Sequence, residues 1–225
     1  MGLIGTGETR YPTMFFQMSE CAYRIRPYQP GDEAAVYNVC LKTSDAGQDA
    51  THLYSDPMAL GHIFVGPYIN LEPQRAFVLE DSEGVCGYAL GALDSAQFYQ
   101  KYVGDWLPRV RNGYPVPSGD PICWTPTEKI YHQCYHPEVY LPESFRGYPS
   151  HLHLDLLPRA QGQGNGCRMM ETLLAQLKRD KSIGVHLAMA ASNARAERFY
   201  KKLGFHELTR VGSGPEQNLY LAKKL

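Results

Sequence analysis

From Tyr23 onward, apolar and polar positions fall into short, regular patterns. Tyr23-Arg24-Ile25-Arg26 alternates like a half-buried strand. Pro30-Gly31-Asp32-Glu33 opens a helix with Ala35, Val36, Val39 and Cys40 at helical spacing, and its acids lie in the first turn, where the macrodipole favours them. Thr43 to Asp56, rich in Asp, Gly and Ser, reads as a loop before a short helix around Met58 to Phe64. Ala76 to Glu80, the turn Asp81-Ser82-Glu83-Gly84 and Val85 to Leu93 predict a hairpin. His151 to Leu157 alternates again, and Cys167 to Lys178 predicts an amphipathic helix with Met170, Leu173, Leu174 and Leu177 on one face. Val185 to Ala190 is a strand, Ala194 to Leu203 a helix, and Phe205 to Val211 with Asn218 to Leu221 a closing strand pair. Strand and helix alternate here, which predicts βαβ connections inside a mixed α/β sheet.

Two stretches depart from this regularity. Residues 1–22 have no clear period and hold the apolar patch Met14-Phe15-Phe16, an irregular leader ahead of a single domain over 23–225. Residues 94–150 lie between the third and fourth strands and carry both tryptophans, many tyrosines and eight of the prolines. So long an interruption is usually functional or disordered. Its aromatic content predicts an ordered insert with one or two short helices, either a lid or a satellite core.

Composition narrows the classes. The 225 residues are 44% hydrophobic and carry a formal net charge of −1, with no block of five like charges, so direct nucleic-acid binding is not expected. The six cysteines are scattered without a CxxC pair, giving neither a zinc site nor a disulfide framework, as suits a reducing compartment. No metal site is expected, because the histidines lack ligand spacing. No run approaches the ~20 apolar residues of a membrane span. The N-terminus has no signal-peptide pattern, although Gly2 and Thr6 fit a loose myristoylation motif. A cytoplasmic protein is expected, with the nucleus also open to it.

The candidate chemistry lies in Leu156-Leu157-Pro158-Arg159-Ala160-Gln161-Gly162-Gln163-Gly164-Asn165-Gly166-Cys167. A strand, three glycines in five residues and a helix start together make a cradle for a pyrophosphate. Glycine allows sharp turns and close approach, and a helix N-terminus offers unpaired N–H groups. A dinucleotide loop would place glycine where Cys167 stands, and a P-loop would need G-K-[ST]. The pattern Q/R-x-x-G-x-G/A is met by Gln161, Gly164 and Gly166. A glycine-rich turn without a ligand remains the plain alternative.

After the next strand comes Asn193-Ala194-Arg195-Ala196-Glu197-Arg198-Phe199-Tyr200-Lys201-Lys202-Leu203-Gly204-Phe205. With the glycine loop, this resembles the GNAT superfamily of N-acetyltransferases. Tyr148 to Pro158, Arg26-Pro27-Tyr28, Val65-Gly66-Pro67-Tyr68 and Gly87-Tyr88-Ala89-Leu90-Gly91 resemble more closely the acetyltransferase-like domain at the C-terminus of O-GlcNAcase and its free-standing relatives. The resemblance implies a GNAT fold and acetyl-CoA as cosubstrate, with direct acetyl transfer to a primary amine of a small molecule or a protein lysine. The alternative it leaves is a non-catalytic acetyl-CoA-binding or interaction module. By the same resemblance, Leu156 and Leu157 would pair with pantetheine, and amides of Gln161, Gly162, Gln163, Gly164, Asn165 and Gly166 would hold the pyrophosphate. Asn193 would contact pantetheine, with helix capping as its plain reading. Tyr200 would contact the cofactor and protonate the leaving thiolate, its plain reading a buried aromatic. An amine of pKa ~10.4 must lose a proton before attack. Asp155 is the candidate base or amine anchor, and His153, on the same strand face, the second candidate on the substrate side; the plain reading of each is a satisfied polar residue on a covered face. Asp45, Asp49 and Asp94 are candidate acceptor-side carboxylates, or simply turn residues.

Overall fold

The computed structural model describes Met1, residues 22–214 and residues 217–225. Gly2, Thr6 and the Met14–Phe16 patch lie outside the described residues. The alternating segments form seven strands: β1 (Arg24–Pro27), β2 (Ala76–Asp81), β3 (Gly84–Ala92), β4 (Ser150–Leu156), β5 (Gly184–Ala190), β6 (His206–Val211) and β7 (Asn218–Lys224). They build one mixed sheet in the order β1-β2-β3-β4-β5-β7-β6. Every neighbouring pair is antiparallel except β4 and β5.

Helices cover both faces. On one face lie α1 (Glu33–Leu41), α2 (Ala59–Phe64) and α3 (Gly66–Leu71), packed around β3. On the other lies α7 (Asn165–Arg179), across β2, β3 and β4. Its buried stripe is Met169, Met170, Leu173 and Leu177, each contributing about 1.5–3 kcal/mol of burial. Leu174, expected on that stripe, sits half-buried at its edge. Strand faces follow the two-residue period. Leu152 is buried on the α7 side, where a Cβ on Gly91 of β3 would meet Leu173 at 2.8 Å. His151, His153 and Asp155 point to the other side, toward α3, α2 and Tyr88. Helices on that face bury His151 and leave His153 and Asp155 partly exposed.

Between β3 and β4 lie α4 (Ser95–Lys101), a π turn over Tyr102–Trp106, α5 (Leu107–Val110) and α6 (Pro126–Tyr135). This is more helix than expected, because Asp94 caps α4 and a reciprocal Thr125/Glu128 box caps α6. The segment packs on α2, where Trp106 Nε1 donates to the His62 carbonyl at 2.7 Å, and on itself, where Tyr114 stacks on Tyr131 at 4.7 Å. The last helix, α8 (Ala194–Lys202), follows β5. Among the described residues no helix is long and apolar enough to cross a membrane.

Candidate active site

β4 and β5 are parallel partners only at Ser150↔Val185 and His151↔His186. Beyond Leu152 the two strands diverge, and the gap opens a cleft of about 400 Å³. One wall is Leu154, Asp155, Leu156, Gln161, Gly162, Gly164, Gly166 and Cys167; the other is Asn193, Arg195, Ala196, Phe199 and Tyr200. Thr43, Ala46, Gly47 and Gln48, from the loop after α1, close one end. No residue of the 94–150 segment lines it.

The glycine loop is shaped by its backbone. Gly162 and Gly164 both hold φ +77°, a conformation that costs an L-residue roughly 1–2 kcal/mol. Gly166 serves packing, since a Cβ there would meet the Phe199 ring at 3.1 Å. Arg159 Nε donates to Asp81 Oδ2 at 2.7 Å, and Asn165 Nδ2 to the Ala160 carbonyl at 3.0 Å, fixing the loop to the β2–β3 turn and to itself. The amides of residues 162–167 find no acceptor among the described residues, as at any helix start awaiting a capping group. A bent glycine loop feeding a 15-residue helix, with Arg195 across the cleft, suits an anionic pyrophosphate.

Two of the expected cofactor residues, Gln161 and Leu157, give their backbone amides to other carbonyls. The Gln161 amide donates to the Pro158 carbonyl at 3.1 Å. Its side chain bridges the cleft walls instead: Nε2 donates to the Leu156 carbonyl at 2.6 Å, and Oε1 accepts from Arg195. Leu157 is buried and gives its amide to the Cys86 carbonyl at 2.8 Å, so only Leu156 of that pair reaches the cleft. The Gln163 side chain turns to Tyr23 and the Arg159 carbonyl, and the buried Asn165 side chain braces the loop, while the amides of both stay unpaired among the described residues. Neither lines the cleft. Asn193 both lines it and caps α8, accepting from the Ala196 amide at 3.0 Å.

Asp155 and Tyr200 line the cleft together. Tyr88, buried on β3, donates its hydroxyl to Asp155 Oδ2, and His153 Nε2 lies 2.9 Å from the same oxygen. Asp155 Oδ1 has no partner among the described residues. The other nitrogen of His153, Nδ1, is 3.1 Å from the Phe64 carbonyl. Burial alone would lower the His153 pKa; the Asp155 charge and hydrogen bond, with the Phe64 carbonyl, reverse that and raise it above the usual value. The Tyr200 hydroxyl has no partner among the described residues. Burial, then the Asp155 charge, push its pKa well up, so it stays protonated at neutral pH.

The three acceptor-side carboxylates do not converge on the cleft. Asp94 caps α4 by accepting from the Gln97 amide at 2.9 Å. Asp49 closes a turn on the Thr51 amide at 2.9 Å, and Asp45 is exposed in a bridge with Gln48. Their loop does reach the cleft, through Thr43 and Ala46 to Gln48. Gly47 (φ +91°) lies so close to Asn193 that a Cβ would come within 3.2 Å of its amide nitrogen. Arg195 and Tyr88 were not singled out by sequence reasoning. Tyr88 carried a usable signal, its place in the strand alternation opposite Asp155 in register.

Residues 135–207 match the family described as an acetyltransferase (GNAT) domain. The O-GlcNAcase proteins of Rattus norvegicus and Mus musculus are each 34% identical over 204 residues, covering 90% of this chain and 22% of theirs. The chain thus spans about a fifth of the length of these curated relatives. The crystal structure of SsHAT superposes with a TM-score of 0.82 at 41% identity, over 90% of this chain and 98% of that one. The structure of yncA from Salmonella typhimurium with its cofactor acetyl-CoA shares the fold, with a TM-score of 0.52 at 17% identity over 90% of this chain and 94% of that one. With the splayed β4–β5 pair and the glycine loop before α7, these likenesses show that the chain belongs to the GNAT superfamily of acyl-CoA N-acetyltransferases.

Proposed function

We propose that the chain transfers an acetyl group from acetyl-CoA to a primary amine, on a small molecule or a protein lysine, at the β4–β5 cleft. The observation that carries this reading is the meeting of Asp155 and Tyr200 in one cleft, beside a glycine loop that presents unpaired amides. The amides of Gly162, Gly164 and Gly166 and the Arg195 guanidinium would hold the pyrophosphate, and Leu156 and Asn193 would flank the pantetheine arm. Acetyl-CoA bound there supplies the acyl group as a thioester, whose C–S bond breaks as the amine's N–C bond forms. Asp155 Oδ1 receives the acceptor's ammonium and takes its proton, freeing the nitrogen lone pair for attack. The Tyr200 hydroxyl, held protonated by burial, is the donor for the departing sulfur. In this reading a buried tyrosine is useful because its proton is not lost to solvent near pH 7.

Calorimetry with acetyl-CoA and a CoA-release assay over a panel of primary amines test the reading. Tyr200→Phe and Asp155→Asn are each expected to lower kcat by about 10²–10⁴-fold while acetyl-CoA affinity changes little. Wild-type protein that binds acetyl-CoA yet releases no CoA with any amine would point to the non-catalytic module. Full turnover in both variants would remove these residues from the reaction.

A further inference from the structure

The feature left unused by this reading is the environment of His153. Both of its ring nitrogens face acceptors: Nδ1 the Phe64 carbonyl at 3.1 Å, Nε2 the Asp155 carboxylate at 2.9 Å. A neutral imidazole has one donor and one lone pair, so either tautomer would set a lone pair against one of these oxygens. The Tyr88 hydroxyl, 3.4 Å from Nε2, does not relieve the conflict, because its proton is committed to Asp155 Oδ2. Moving one proton from His153 to Asp155 would satisfy the geometry. That proton prefers the imidazole, the more basic kind of group. Of the two arrangements that give every group a partner, the imidazolium beside the carboxylate is therefore the favoured one.

We propose that His153 is held as an imidazolium between the Phe64 carbonyl and Asp155 and acts as a positioning residue for the acceptor amine. Two donors on Oδ2 fix the carboxylate and leave Oδ1 for the incoming nitrogen. The imidazolium also offsets the charge of Asp155. An unpaired carboxylate would hold the acceptor as a tightly bound ammonium, favouring the protonated form that cannot attack. A compensated one holds the ammonium less tightly, and the proton that Oδ1 takes passes on to solvent in the cleft.

Among the described residues, the surroundings of His153 add no other charge. Tyr88 from β3 and Tyr68 from α3 face the ring at 5.2 and 6.4 Å, and burial pushes both phenols far above their usual range. His151 on β4 is driven well below its usual value by burial and stays neutral. On the far side of Asp155, Cys40 of α1 is pushed up by burial to about 12 and stays a thiol, and Tyr200 of α8 stays a phenol.

The inference rests on the acetyl-transfer reading for its consequence, but the protonation state is measurable without it. ¹⁵N NMR of the substrate-free protein, with His153 assigned through its bonds, is expected to show protons on both ring nitrogens at pH 7.5, where an ordinary histidine is neutral. In Asp155→Asn it is expected to show one. A neutral His153 in the unaltered protein overturns the inference whatever the activity. In kinetics, His153→Gln is expected to bind acetyl-CoA normally, to lose about tenfold in kcat at pH 7, and to recover as the optimum moves up by about one pH unit or more. A kcat loss that is flat across pH would mark a merely structural residue and overturn the positioning role. An imidazolium found in a protein whose Asp155→Asn variant turns over normally would sink the acetyl-transfer reading of Asp155 and leave the clamp standing.

Discussion

The two ends of β4 carry the same kinds of side chain to opposite outcomes. At the closed end, where β4 is still paired with β5, His151 is buried among Tyr68, Phe98, Tyr99 and His186, and burial keeps it neutral. Two residues on, where the strands part, His153 meets a carbonyl and a carboxylate and is drawn toward the cation. Both lie on one face of one strand, so sequence context and local secondary structure are shared. The separation of β4 from β5 decides the difference. At the closed end the ring meets only neutral partners, aromatic faces and the Ser95 hydroxyl 2.8 Å from Nδ1, whereas at the open end it meets a charge, and with it chemistry.

The same glycine-to-alanine change at the two ends should break different things. At the closed end, a Cβ on Gly184 would lie 2.5 Å from the Gly147 carbonyl oxygen and 2.8 Å from the Tyr148 ring. Backbone cannot yield as a side chain can. Gly184→Ala is therefore expected to cost about 3 kcal/mol, a Tm fall of roughly 6–12 °C in a thermal melt, with acetyl-CoA affinity of the folded protein intact. An unchanged Tm would mean that the closed end is not close-packed in the way described. At the open end, Gly164 has nothing within 4 Å of a built Cβ, and only its φ of +77° resists substitution. Gly164→Ala should cost about 1–2 kcal/mol of stability. Its main readout is calorimetric: the acetyl-CoA Kd should rise about tenfold as the loop amides are re-aimed. Wild-type affinity in that variant would mean that the amides of 162–166 are not the pyrophosphate cradle.

Much of the closed architecture is legible in the sequence, and much of the open end is not. The helix α7 follows from an apolar period of 3.6, because one of its faces is buried, and the β2–β3 hairpin from two apolar runs around a turn, because helices cover both faces of the sheet there. The glycine loop is legible because few residues besides glycine tolerate φ near +77°. Aspartate is ambiguous for a physical reason: a carboxylate that caps a helix, as Asp94 does, uses the same short acceptor that an amine site would. Gln161 shows the converse, since its motif position is plain while its cross-cleft bond to Arg195 depends on where α8 starts. The six-residue helix α3 has too few turns to show a period, and its Gly66-Pro67 opening reads as a turn. The partners of Asp155 are least legible of all, because Tyr88 and Phe64 arrive from other elements through sheet register and helix packing.

The smallest effect, and the one that tests the comparison most directly, is the pH dependence of stability. His151 has a folded-state pKa depressed below ~6.5, so the unfolded chain binds its proton more readily. Its contribution is whole above pH 6.5 and is lost as pH falls below that value. His153 has a raised folded-state pKa, so its contribution is whole below pH 6.5 and is lost as pH rises through that higher value. Each tenfold difference in proton affinity between folded and unfolded chains is worth about 1.4 kcal/mol. His186 and His62, both depressed by burial, add to the acid-side loss, so single variants must be compared with the unaltered protein by difference. Melts from pH 5 to 8.5 should show His151→Gln losing part of the acid-side slope, and His153→Gln losing the alkaline-side slope. If the two difference curves bend the same way, the opposition between the closed and open ends fails. If they bend oppositely, two histidines on one strand face are shifted in opposite directions by the partners that meet them, aromatic rings for His151 and a carbonyl and a carboxylate for His153.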